Sequence, residues 1–175
     1  MLSKEIEKAL NEQIGHEAYA SHYYLSMASW SEKKGLHGCA GFLYKQSEEE
    51  REHMMKLIRY VNAAGGHAKV PPVKEPPYEY KSLAEIFELT LQHEIRVTGL
   101  INRLVELCFN AKDYSSFHFL QWFVAEQHEE EKLFTSVRDL VKITGTDDRG
   151  IYFIDREIGK LRGEDNQEDE GKESD

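Results

Sequence analysis

The sequence predicts an all-α protein: a four-helix bundle with a long crossover between helices 2 and 3 and a short fifth helix. Three observations carry that reading. All four prolines lie between 71 and 77, so the rest of the chain lacks the residue that most strongly breaks helices. Apolar residues outside that segment recur at three and four, the period of helices buried on one side. Turn signals divide the chain into two hairpins, joined by a proline-stiffened connection of roughly 16 residues, longer than most links inside a domain.

The elements follow in order. Ser3 can cap a first helix that reaches about Lys34. Gly35-Leu36-His37-Gly38 turns into a second, from about Cys39 to Ala64, which Gly65-Gly66 ends. Ser82 caps a third over about 83–110, with Glu85 completing a capping box. Asn110-Ala111-Lys112-Asp113 turns into a fourth over about 114–144, stopped by Gly145, and a short fifth helix follows near Asp148 to Leu161. A four-helix bundle has no internal place for a fifth helix, which hints at assembly.

Composition narrows the function classes. The 175 residues are 40% hydrophobic and 31% charged, the balance of one soluble globular domain. No apolar run approaches the length of a membrane span. Met1-Leu2-Ser3-Lys4-Glu5 lacks the apolar stretch of a secretory signal. The two cysteines, Cys39 and Cys108, form no CxxC pair, which excludes a disulfide scaffold, a zinc finger and a rubredoxin-type iron site. Free thiols without a leader point to a reducing cytoplasm. A net charge of −10 opposes nucleic acid as a main partner. Residues 163–175 hold seven acids against the single Lys172; they are expected to be a disordered acidic tail, leaving 1–162 as the functional domain.

Projecting each helix at about 100° per residue shows what shares its apolar stripe. Glu17 lies with Ile6, Leu10, Tyr24 and Ala28; Glu50 and His53 lie with Leu43, Leu57 and Val61. Glu94 lies with Leu83, Phe87, Val97, Ile101 and Val105, and Glu126 and Glu130 lie with Phe119, Phe123, Leu133, Val137 and Val141. Every bundle helix thus puts a glutamate where the pattern demands a hydrophobe. In an antiparallel hairpin two residues are level when their midpoint is the turn. Glu17 and Glu50 average to 33.5, close to the 35–38 turn, and Glu94 and Glu130 average to 112, inside the second turn. The four can therefore meet near mid-bundle.

An unpaired buried carboxylate costs several kcal/mol. No lysine or arginine falls in the middle of any stripe: Arg51, Arg59, Arg96, Arg103, Lys132 and Arg138 project outward or to the flanks. Four or five inward carboxylates, one histidine and no basic partner call for cations. Glu50-Arg51-Glu52-His53 is the Glu-x-x-His pairing of di-metal bundles, weak alone and strong beside three level glutamates. Glu50, with two oxygens, is the candidate bridge. Oxygen-rich ligation with one imidazole suits iron or manganese better than structural zinc.

At this point the chain resembles the ferritin family, specifically the bacterial non-haem ferritins. The likeness covers residues 1–162 and includes Leu10-Asn11-Glu12-Gln13, Phe119-Leu120-Gln121-Trp122, the run Glu126-Gln127-His128-Glu129-Glu130-Glu131-Lys132-Leu133-Phe134, and Tyr152-Phe153-Ile154-Asp155. The resemblance implies a ferritin-like bundle in a hollow homo-oligomeric cage of 24 subunits. Such a cage oxidises Fe(II) with O2 or H2O2 and stores a ferric oxide-hydroxide mineral. It implies that Glu17, Glu50 and His53 hold one iron, and that Glu50, Glu94 and Glu130 hold a second with Gln127 beside the pair. Glu49, Glu126, Glu129 and Glu130 would form a third, transit iron site, and Tyr24 would hydrogen-bond near the centre and supply an electron, with Trp122 a second candidate. Haem-bearing relatives have methionine where this chain has Arg51, so no haem is expected. The fourth helix carries Gln127-His128-Glu129-Glu130 where those relatives repeat Glu-x-x-His, so the centre is expected to pass iron on and not to retain it.

Plainer readings apply elsewhere. His16, His22, His37, His67, His93, His118 and His128 lie off the stripe centres or in loops and read as surface or interface residues. Met54 and Met55 read as packing, Cys39 and Cys108 as inert buried thiols. The competing functions are a cage-less di-iron oxidase or peroxide scavenger, against which the fifth helix argues, and a non-catalytic mineralising cage, against which the full ligand set argues.

Overall fold

A computed structural model describes residues 2–168, with side chains through 161. Within it the chain forms α1 (Lys4–Lys33), α2 (His37–Ala63), α3 (Leu83–Asn110), α4 (Tyr114–Thr144) and α5 (Asp148–Glu168), and no strand. The helix starts are fixed by local side chains. Ser3 Oγ accepts from Ile6 N at 3.2 Å and Ser82 Oγ from Glu85 N at 3.1 Å. Asp113 Oδ1 accepts from Ser116 N at 3.1 Å. Each satisfies an amide that the first turn leaves without a partner.

The second helix differs from expectation. It begins at His37, two residues earlier than Cys39, and its N-cap, Leu36, has no capping side chain. Asp155 of α5 does the work instead, accepting from Cys39 N at 2.8 Å. The two backbones meet closely there: a Cβ on Gly38 would lie 1.9 Å from the Asp155 carbonyl oxygen. The fifth helix is thus seated on the start of α2. It also runs to Glu168, past the expected end at Leu161. Of the expected acidic tail, 169–175 lie outside the described residues.

The crossover, residues 64–82, runs the length of α1. Lys69 N donates to Asn11 Oδ1 at 2.6 Å, Ser26 Oγ donates to the Pro77 carbonyl, and Lys33 lies 3.8 Å from Glu79. The chain therefore ascends beside α1 before α3 descends. This makes α2 and α3 parallel, as the long connection demands.

Two apolar clusters fill the bundle. One gathers Met27, Phe42, Leu43, Ile86, Phe87, Phe134, Ile154 and Ile158 beside the α1–α2 turn. The other gathers Ile6, Leu10, Ile14, Leu57, Val61, Ile101, Leu120 and Phe123 at the far end. Between them lies a buried polar layer: Gln13, Glu17, Gln46, Glu50, His53, Glu94, Gln127 and Glu130. Among the described residues no helix is long and apolar enough to cross a membrane.

Candidate metal centre

The helical stripes deliver their glutamates to this layer as their azimuths require. Glu17 is 1% exposed, Glu50 3%, Glu94 0% and Glu130 8%. Glu17, Glu50 and His53 converge: one donor atom from each lies within 4.8 Å of the others. His53 Nδ1 sits 3.3 Å from Glu50 Oε2. Neither that nitrogen nor Glu17 Oε2 has a hydrogen-bond partner among the described residues. Buried polar atoms left without hydrogen bonds are costly unless something else satisfies them.

The other carboxylates are held by polar side chains. Gln13 Nε2 donates to Glu17 Oε1 at 2.8 Å and Gln46 Nε2 to Glu130 Oε2 at 3.0 Å. Tyr24 donates its hydroxyl to Glu94 Oε1, and Gln127 Nε2 donates to Glu94 Oε2 at 3.2 Å. These bonds orient the acids and leave other lone pairs free. None of the four central glutamates lies within 4 Å of a lysine or arginine among the described residues.

Electrostatics report the crowding. Burial raises the Glu17 carboxyl well above the usual range, and the neighbouring Glu50 charge adds to it. Burial raises Glu50, helped by the charges of Glu94 and Glu130. Glu130 is raised by burial, then by Glu94 and Glu49, and Glu94 by burial. Each of these acids resists ionisation until a cation compensates it.

The outer candidates are placed differently. Glu126 is half-buried, not a core residue, and Glu129 is exposed. Glu49 is half-buried with Lys45 at 3.6 Å. Their charges still reach the centre: Glu49 and Glu126 both act on Glu130, and Glu129 acts on Glu126. Trp122 stands edge-on to His53, ring centres 5.3 Å apart, with the Lys56 ammonium 3.6 Å over its face.

One reading is corrected. His93, expected at the surface or an interface, is buried within the subunit at 9% exposure, wedged against Tyr23 at 5.3 Å and Tyr24 at 6.0 Å. Burial lowers its pKa to about 4, with the Arg96 charge assisting. The helical projection located its azimuth on α3 but not the tyrosines of α1 that cover it. The apolar stripes assign neither Gln13 nor Gln46 to the site. Each stands four residues before a stripe glutamate, on the same helix face, and that spacing was the available signal.

Residues 7–143 match the ferritin-like domain of the ferritin family. The chain belongs to that family. Among relatives of this ferritin, the bacterial non-heme ferritin of Campylobacter jejuni is 48% identical, the alignment covering 92% of this chain and 96% of that one. A Haemophilus influenzae protein named as a probable bacterial non-heme ferritin-like protein is 46% identical over 92% and 98% of the two chains. Among solved structures, an open pore ferritin from the hyperthermophilic archaeon Archaeoglobus fulgidus superposes with a TM-score of 0.89 at 39% identity, covering 91% of this chain and 98% of that one. Iron storage is the function that this membership and the carboxylate–histidine group support.

Proposed function

We propose that this ferritin is a ferroxidase subunit of a 24-subunit iron-storage cage, its domain comprising residues 1–162. In this reading it oxidises Fe(II) with O2 or H2O2 at a dinuclear centre. The observation that carries the proposal is the polar layer: buried glutamates on all four helices, two donor atoms without a hydrogen-bond partner and, among the described residues, no lysine or arginine paired with the four glutamates.

Ferrous ions are the substrate. Glu17, Glu50 and His53 would hold one, and Glu50, Glu94 and Glu130 the other, with Gln127 beside them. Glu50 can serve both because its carboxylate has two oxygens. Hard oxygen donors favour Fe(III) over Fe(II), so this donor set promotes oxidation. The glutamines keep the acids aimed at the centre, and the flanking apolar clusters keep bulk water away. Tyr24, bonded to Glu94, would give an electron as its proton moves to that carboxylate. Glu126 and Glu130, with Glu49 and Glu129 outward of them, would form the third, transit site. Gln127 in place of a carboxylate or histidine suits a centre that releases its product to the cavity.

A lone bundle has no use for several exposed apolar side chains. Ile143 is 86% exposed and Tyr152 70%. Assembly would cover such surfaces. Nothing is expected to seat a haem, since Arg51 follows Glu50 where haem-bearing relatives carry methionine.

The test is ferrous oxidation followed by absorbance. Glu17→Ala or His53→Ala should slow the initial rate by about tenfold or more while the assembly's size-exclusion mass stays that of wild type. Unchanged initial rates in both variants would overturn the site. Desalting after iron loading should leave the centre largely empty; two irons retained on every chain would overturn the transit role.

A further inference from the structure

Tyr24 touches rings that differ in what they can do. Phe134 stacks on it at 5.6 Å and His93 meets it edge-on at 6.0 Å, and neither gives up an electron readily. Tyr23, at 6.4 Å, is a phenol and does. Tyr23 is in turn stacked on Tyr19, 5.6 Å apart with ring planes 19° from parallel. His93 packs against all three tyrosines. The phenols thus step outward from the buried Glu94 to half-buried Tyr19.

Tyr19 opens on a groove between α1, the crossover and α3, with a volume of about 870 Å³. In a chain of net charge −10 this groove carries Lys4, Lys8, Lys69, Lys74 and Arg96. Glu7 and Glu12 lie on it too, each already 3.8 Å from Lys4 or Lys8. Among the described residues no carboxylate lies within 4 Å of Lys69, Lys74 or Arg96. A positive concavity on an acidic protein concentrates small anions.

We propose that Tyr23 and Tyr19 form an electron relay from this groove to Tyr24, and that the groove receives an anionic one-electron reductant. The proposal rests on the ferroxidase reading above. The two Fe(II) of the pair, a third Fe(II) and Tyr24 each supply one of the four electrons that, with four protons from solvent, break the O–O bond and reduce O2 to two waters. Tyr24 gives one electron to the dioxygen-derived oxidant and its hydroxyl proton to Glu94 Oε1. One electron then passes from the reductant through Tyr19 and Tyr23 to the Tyr24 oxygen, which retakes that proton. In this return step the reductant is oxidised by one electron, the phenol is restored, and no bond between heavy atoms forms or breaks. The relay thereby repairs the centre without exposing it.

Freeze-quench paramagnetic resonance on the assembled full-length protein tests this. Fe(II) is added aerobically, and decay of the tyrosyl signal is followed with ascorbate, an anion, or with an uncharged hydroquinone. Tyr23→Phe and Tyr19→Phe should each lengthen the signal's lifetime about tenfold with both reductants, whereas Tyr19→Trp, which keeps an oxidisable ring, should not. Lys74→Glu and Arg96→Glu should lengthen it with ascorbate alone, as should added salt. Initial Fe(II) oxidation should stay at the wild-type rate in all five variants. A wild-type lifetime in Tyr23→Phe and Tyr19→Phe, or equal effects of the groove variants on both reductants, would overturn the relay while leaving the ferroxidase reading intact. Absence of ferrous oxidation in the wild-type protein would overturn that reading itself.

Discussion

The polar waist of the bundle and the two apolar clusters on either side of it are equally buried and are built on opposite principles. Leu10, Leu43, Leu57 and Phe87 are at most fractionally exposed, and each lowers the free energy of the folded state by leaving water. Glu17, Glu50 and Glu94 are buried just as deeply, and each raises it, because their ionised forms lose solvation without gaining a basic partner. A fold tolerates such a layer when flanking clusters hold it closed. The same depth of burial thus reports stability in one region and function in the other; the partner list separates them.

The largest effect that sharpens this contrast is functional. Glu50→Ala removes the one carboxylate placed to serve both ions, and stopped-flow absorbance should show ferrous oxidation slowed by about 100-fold, with the helical circular dichroism of wild type retained. Next comes packing. Leu43→Ala, in the cluster beside the α1–α2 turn, should destabilise the protein by about 3 kcal/mol, read from denaturant unfolding, with little change in oxidation rate per folded chain. The reverse sign belongs to the waist: Glu94→Gln should stabilise the metal-free protein at neutral pH by about 1–2 kcal/mol, since a neutral amide need not be desolvated as a charge, while slowing oxidation. A smaller change tests how α5 is held. Asp155→Ala removes the cap of α2 and should cost about 1 kcal/mol, lowering the thermal midpoint without touching the centre. If Leu43→Ala and Glu94→Gln shifted stability in the same direction, the distinction between the two regions would fail.

Much of this was legible in the sequence, and what was not has a physical cause. The starts of α1, α3 and α4 could be read because Ser3, Ser82 and Asp113 cap amides only three residues ahead. The start of α2 could not, because its cap, Asp155, is 116 residues away from Cys39. The burial of Glu17, Glu50, Glu94 and Glu130 followed from helical azimuth, and Glu17, Glu50 and His53 met as their levels implied. Glu126 shared the α4 stripe in projection and yet is half-buried, since a stripe is wider than the contact that covers it. His93 shows the converse: its azimuth on α3 is peripheral, but Tyr19 and Tyr23 of α1 close over it. A projection treats one helix at a time, and both errors arise where a second helix decides.

The central claim is that the waist is a cation-binding centre whose burial cost bound ions offset. Anaerobic calorimetric titration of the metal-free protein with Fe(II) tests it most directly. Binding should saturate at about two to three ions per chain, the carboxylate pair and the transit site, and Glu50→Ala should abolish the heat of the pair. Identical titrations of wild type and Glu50→Ala, or no saturable binding in the wild type, would contradict it.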